Sequence, residues 1–360
     1  MKRASRLWGS VNSCAIVGQM ATRACQWSCP GNLRRRDNKD HCFRGVRNGL
    51  HCRLALAVAA VACQLVSCSG NPVAVPRSQR LQVATTVLPV TLFTLAIAGD
   101  CADVTPLIPP QSGPHDLPIT PAALAVLQRA RVLVQNGLGL DTFLDRLMAS
   151  AGNPQLRIID SSRGVATLSD GSEPRHAHNV GRETSRAGVN PHIWLDPRRA
   201  MQQVQSIRDG LIAADPSCAA GYSQRAQQFI AELRKLDAKL EQKLKPYRGK
   251  TLVVLHDVSP YFAQRYQLRQ AFLVRIPELN PTPQDMQRVS RIIQQAGVKS
   301  ILTEPGQSKQ SVMALAHDLG LSIGVFDPLE TSTAQLARDP QTYIAVMQAN
   351  AAAVTAAFQP

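Results

Sequence analysis

The sequence predicts an α/β fold made of two Rossmann-like lobes, each built on a parallel sheet and joined to the other by a long connecting helix. Three observations carry that expectation. From residue 80 onward, short β-branched runs alternate with segments of helical period, the pattern of parallel strands covered by helices. The alternation is interrupted once, over residues 196–248, by a stretch that is helical throughout. Apolar residues make up 44% of the 360, enough to fill the cores of two domains of ordinary size.

The chain opens with a leader over residues 1–67. LALAVAAVAC (54–63) is too short to span a bilayer, is preceded by Arg47 and Arg53 and is followed by Leu65-Val66-Ser67-Cys68, the layout of a signal peptide. The tetrapeptide resembles a bacterial lipobox, which makes Cys68 the expected lipidation site and the mature N-terminus. Residues 1–50 are far longer than an ordinary basic segment and lack apolar periodicity. A start codon assigned too far upstream would explain them, with translation from a non-AUG codon at Val46 or Leu50 and residues 1–50 untranslated. The Gly, Pro and Ser of residues 68–80 then read as a tether.

Charge follows the same division. The net charge is +15, yet the leader alone carries +9 of it, and no basic run interleaved with aromatics follows. Nucleic-acid binding is therefore not expected. Seven of the nine cysteines fall within the first 68 residues; Cys25 and Cys29 have a gap that zinc modules use, but no second pair completes such a site at a familiar spacing. Cys101 and Cys218 remain; a disulfide is open to them in an oxidising compartment, but buried free thiols are the plainer reading.

The N-terminal lobe is placed at 81–195. LQVATTV (81–87) reads as its first strand, a helix follows through Leu95, and further strands are expected at 104–108, 131–134 and 156–159. Residues 161–189, rich in Gly, Ser and charge, form a long loop in which His176 and His178 give a weak metal-collecting signal. In the connecting helices (196–248), Asp196-Pro197 and Asp215-Pro216 each supply an N-cap followed by proline at the first helical position. The second helix sets Tyr222, Ala226, Phe229, Ile230, Leu233, Leu236, Leu240 and Leu244 on one apolar face and stops at Pro246 and Gly249. The C-terminal lobe (249–360) carries strands at 251–257, 300–303 and 322–326.

Three histidines share a context. His115 follows Gly113-Pro114, His192 follows Asn190-Pro191, and His256 closes the strand TLVVL. Each lies at or after a strand end, where ligands bind in open α/β sheets. Asp327, ending SIGVF, has the same placement. Three imidazoles and a carboxylate suit four-coordinate Zn2+, whereas Mn2+ prefers more oxygen donors. His317, in a helical pattern, reads as a surface residue.

From about residue 80 to 330 the chain resembles the zinc and manganese solute-binding proteins of ABC transporters. The resemblance rests on Ile97-Ala98-Gly99-Asp100, Gly113-Pro114-His115, Asn136-Gly137-Leu138-Gly139 and the run Asn190-Pro191-His192-Ile193-Trp194-Leu195-Asp196-Pro197. It continues through His256-Asp257, Tyr261-Phe262, Arg265-Tyr266, Glu304-Pro305 and Asp327-Pro328-Leu329. It implies a metal held between the lobes by His115, His192, His256 and Asp327, with Glu304 as a reserve oxygen ligand. It further implies an exported protein, lipid-anchored on the outer face of the cytoplasmic membrane, that works as a monomer, captures Zn2+ and delivers it to an ABC permease and its ATPase, without enzymatic activity. Two positions depart from the family pattern: Asn190, where aspartate is expected, and Gln267, where glycine is expected. The rival readings are a manganese carrier on the same fold, a zinc-dependent hydrolase, for which an H-E-x-x-H helix is lacking, and a surface adhesin, for which no adhesive repeat is present.

Overall fold

A computed structural model describes residues 80–113, 120–141, 143–169, 188–274, 281–306 and 310–359. The leader, Cys68, His115, His176 and His178 lie outside the described residues. The first half runs β1 (Leu81–Thr85), α1 (Leu88–Ala98), β2 (Ala102–Pro106), α2 (Pro121–Arg129), β3 (Val132–Gln135), α3 (Leu144–Ala151) and β4 (Arg157–Asp160). Its four strands pair in parallel in the order β2-β1-β3-β4. Two helices follow, α4 (Pro197–Ala214) and the 26-residue α5 (Ala219–Leu244). The second half runs β5 (Thr251–His256), α6 (Pro260–Arg265), β6 (Arg269–Val274), α7 (Pro283–Ala296), β7 (Ser300–Thr303), α8 (Gln310–Asp318), β8 (Ser322–Val325) and α9 (Gln341–Ala357). It repeats the parallel order as β6-β5-β7-β8.

The fold class matches the expectation, and the layering shows why. Along β3, Val132 and Val134 enter one core while Leu133 enters another; along β5, Leu252 and Val254 share the first core while Val253 and Leu255 enter a third. Strand side chains alternate between faces, so a continuous apolar run marks a strand covered on both. The central core is common to both sheets and takes in the whole apolar face read for α5. The two halves therefore bury surface against one spine, a shared apolar core being the largest favourable term available to join them.

Local signals act as expected in most places. The Asp196 carboxylate accepts the Arg198 N–H at 2.8 Å with Pro197 at the first helical position, a full N-cap for α4. At Asp215-Pro216 the chain instead forms a 3-10 turn, Pro216–Cys218, and α5 starts at Ala219. One strand, β6, was not read from the sequence. The expectation of free thiols is corrected: Cys101 and Cys218 are disulfide-bonded, with Cα atoms 6.1 Å apart, across 117 residues of sequence. Spacing along the chain says nothing of such approach in space. No helix among the described residues is long and apolar enough to cross a membrane.

Candidate metal centre

In each sheet the strand order reverses beside the first strand, and the carboxyl ends at that reversal form a crevice. His256 is the last residue of β5, and Glu304 follows β7, its neighbour at the reversal. In the other half, Thr86 and Asn136 follow β1 and β3, and Asn136 Nδ2 donates to Pro191 O at 3.1 Å. Gln203, fully buried on α4, holds Asn136 through its Oδ1 at 3.1 Å and Ser161 Oγ at 3.0 Å. This buried network fixes the residue before His192 to the first half.

The segment carrying His192 is bonded to the second half as well. Tyr261 OH donates to Asn190 O (2.6 Å), Asn190 Nδ2 to Asp257 O (2.7 Å), Trp194 Nε1 to Pro328 O (2.8 Å) and Tyr343 OH to Trp194 O (2.7 Å). Residues 190–195 thus act as a clasp, with His192 at its centre and buried.

Within this frame His192 and His256 stand with ring centroids 5.5 Å apart. One atom each of His192, His256 and Glu330 lies within 4.8 Å of the other two. Glu330 Oε1 is 3.1 Å from His192 Nε2 and 3.9 Å from His256 Nε2. The remote nitrogens have their own partners: His192 Nδ1 meets Asn190 Oδ1 at 2.9 Å, and His256 Nδ1 meets Glu304 Oε1. A tetrahedral ion with bonds of about 2.0–2.1 Å sets its donors roughly 3.3 Å apart, between the two distances observed. The donor set fits zinc in chemistry and in spacing. Each imidazole is oriented from behind in the manner of metal-ligating histidines.

Glu330 was not singled out from the sequence; the strand-end carboxylate Asp327 was. Asp327 lies outside the group of three. Asn350 on α9 grips its backbone, donating to Asp327 O and accepting from its N–H, both at 2.8 Å. The Asp327 carboxylate accepts the Leu329 N–H at 2.7 Å, and Leu329 takes φ +61. That Asx-type turn brings the chain round so that Glu330, three residues later, faces the imidazoles. Glu304, the reserve ligand, reaches His256 Nδ1 and stands behind the imidazole.

Electrostatics favour a cation here. Burial disfavours a charged His256, but the hydrogen bond and charge of Glu304, with Glu330 and Asp257, outweigh it and hold the imidazole above its ordinary value of 6.5. Burial, reinforced by Glu304 and Glu330 against the Leu329 hydrogen bond, raises Asp327. A carboxylate whose proton affinity is raised by neighbouring negative charge is relieved by positive charge placed beside it. On the remaining side, Pro109, Pro110 and Ser112 line a pocket with Glu330, and Ser332 N–H donates to Pro110 O at 2.6 Å. The chain leading toward His115 therefore passes beside Glu330. His317 stands on the exposed end of α8.

Comparison with known proteins gives a consistent result. Residues 83–357 match the family model described as zinc-uptake complex component A, periplasmic. The zinc-binding lipoprotein AdcA of Streptococcus pneumoniae (strain ATCC BAA-255 / R6) is 28% identical over 300 residues, covering 83% of this chain and 59% of AdcA. The chain thus spans about three fifths of that relative's length. The high-affinity zinc uptake system protein ZnuA of Bacillus subtilis (strain 168) is 28% identical over 305 residues, covering 84% of this chain and 95% of that one. A crystal structure of a ZnuA deletion mutant with zinc bound superposes with a TM-score of 0.66 at 27% identity, covering 78% of this chain and 100% of that chain.

Proposed function

The chain belongs to the family of periplasmic zinc-uptake complex component A proteins, and from that premise we propose that it captures Zn2+ outside the cytoplasm and delivers it to an ABC permease driven by its ATPase. The observation that carries the reading is the convergence of His192 Nε2, His256 Nε2 and Glu330 Oε1 on one point between the two sheets. His115 is the proposed fourth ligand, since the residues just before it line the same pocket as Glu330. Asp327 serves as the turn former that delivers Glu330 and, if drawn in, as an additional oxygen donor. Three imidazoles and one carboxylate close a tetrahedral site, which suits a carrier; a hydrolase would keep a position for water. Binding is proton-linked, because each histidine must be neutral to ligate.

In this reading the protein is exported, acylated at Cys68 and held as a monomer on the outer face of the cytoplasmic membrane by the tether up to residue 80. The permease draws the two halves apart, and cargo leaves as donors from opposite sides separate. His176 and His178 would add at most a loose collecting site.

The test is metal content and competitive titration with a chromophoric chelator on the purified protein, wild type beside His256→Ala and Glu330→Ala. One tightly held zinc per chain, much weakened in both variants and not displaced by equimolar Mn2+, is the expected result. Displacement by Mn2+ would move the cargo to manganese. Binding indifferent to both substitutions would remove the site.

A further inference from the structure

Asn190 makes bonds in two directions, and their geometry fixes more than its own position. Its Oδ1 accepts the backbone N–H of His192 at 3.1 Å, and its Nδ2 donates to the carbonyl of Asp257 at 2.7 Å. A backbone N–H can only donate and a carbonyl can only accept, so the amide has one possible orientation. The same Oδ1 lies 2.9 Å from His192 Nδ1. Facing a fixed acceptor, Nδ1 must carry a proton, which leaves Nε2, 3.1 Å from Glu330 Oε1, as the nitrogen that can give up its proton and offer a lone pair at the metal position.

We propose that Asn190 is a positioning residue that sets the protonation pattern and orientation of His192 and makes both depend on the two halves being together. The dependence comes from Asp257: its carbonyl lies just beyond β5, in the second half, and holds the amide that in turn holds the imidazole. Tyr261 OH, bonded to Asn190 O at 2.6 Å, secures the backbone of the same residue from the second half. Drawing the halves apart therefore loosens the support of His192 as well as separating donors. This explains what asparagine does where the sequence pattern leads one to expect aspartate. A carboxylate could accept from His192 but could not donate to the Asp257 carbonyl and would be repelled by it. Asparagine gives up negative charge behind the imidazole in exchange for a link across the cleft.

The proposal rests on the zinc-carrier reading for its purpose, but its test does not. Wild type, Asn190→Ala and Asn190→Asp are compared, with His192→Gln used to assign the ring signals. In metal-free protein at about pH 8, ring 15N spectra should show His192 protonated at Nδ1 in wild type and in Asn190→Asp, with the slowly exchanging Nδ1–H lost in Asn190→Ala. Amide exchange around residues 257–262 should quicken in both variants, because both lose the donor to Asp257. Zinc affinity should fall about 10–100-fold in Asn190→Ala, the usual effect of losing a group that orients a ligand, and should recover most of that loss in Asn190→Asp. Wild-type His192 protonated at Nε2 alone would overturn the proposal. Unchanged exchange in Asn190→Asp, or zinc affinity in Asn190→Ala within twofold of wild type, would do the same. A wild-type protein that binds no zinc would sink the carrier reading, while the spectra and exchange would still decide the role of Asn190.

Discussion

Glu304→Gln separates the charge behind His256 from the hydrogen bond that orients it. Glutamine keeps an oxygen able to accept from His256 Nδ1, so the ring need not turn, while the negative charge that most strongly favours the imidazolium is removed. In the native protein burial opposes protonation of His256 but is outweighed by Glu304, Glu330 and Asp257, leaving the imidazole above 6.5. A proton and a zinc ion compete for the same ring, and the Glu304 carboxylate raises the ring's affinity for both. At about pH 8, where protons compete least, the variant should bind zinc about 10–100-fold more weakly, or roughly 1.4–2.7 kcal/mol. As pH falls, wild-type affinity declines by up to about tenfold per pH unit for the one proton His256 must release. The decline begins above the ordinary histidine value in wild type and at lower pH in the variant. The ratio of the two affinities should therefore shrink toward pH 6. Competitive titration at pH 6, 7 and 8 and constant ionic strength measures it. A ratio independent of pH, or equal affinities at pH 8, would refute the argument that Glu304 acts on the metal through His256.

Asp141 is buried beneath the turn at Gly137, and burial, eased by hydrogen bonds from Thr86 and the Gly137 and Asn136 amides, holds its carboxyl at about 6. Its ionised form thus costs the fold about 3 kcal/mol at neutral pH. A raised carboxylate favours the folded state while protonated, so this contribution is lost as pH climbs from about 3.8 to 6; Asp141→Asn should flatten thermal stability between about pH 4 and 6 and leave the protein more stable than wild type above that window. Exposed Gln267 holds φ +57, a conformation that costs a side-chain-bearing residue about 1–2 kcal/mol. Gln267→Gly, less the entropy glycine loses on folding, should raise the melting temperature by a few degrees, and a fall would contradict the strain. Replacing Cys101 and Cys218 together by alanine should cost about 2–5 kcal/mol in denaturant unfolding, as expected of a bridge closing a long loop. Zinc affinity should be little changed, since the bridge joins the start of β2 to the start of α5 and lies apart from the metal-site residues.

Much of this molecule was legible because its strands are covered on both faces. A run such as LVVL (252–255) is apolar at every position only if both sides are buried, and His256 stands out as the polar group that follows it where the sheet ends. The Asp196-Pro197 cap and the face of α5 could be read for a similar reason: each is settled by residues within a few positions of one another. What stayed hidden depends on contacts distant in sequence. β6 opens with Arg269 and Gln270 at the sheet edge, one exposed and one half-buried, so its polar start dilutes the apolar signal. Glu330 reaches the imidazoles only through the left-handed turn at Leu329, which no leucine advertises. The disulfide joins residues 117 apart. Asp327 was the natural choice at the strand end, and it does shape the site, as the carboxylate that folds the turn presenting Glu330.

The order of these dependencies bears on how the site can work. Each donor in the group is set by something outside it: His192 by Asn190, His256 by Glu304, Glu330 by the Asp327–Leu329 turn that Asn350 fixes to α9. A preset donor array loses little further freedom on taking up an ion, so affinity reflects the chemistry of the donors more than the cost of gathering them. It also concentrates carboxylates in a buried place, where burial and the charges of Glu304 and Glu330 raise Asp327's affinity for a proton. Both features favour tight binding; neither helps release. On the carrier reading proposed above, release requires a change that reaches several supports at once, and residues 190–195 are where such a change would act. Their bonds run to Asp257, Tyr261, Pro328 and Tyr343 on one side and to Asn136 on the other. A movement that parts the two sheets has to break one set or the other, and in either case His192 leaves the arrangement that held it.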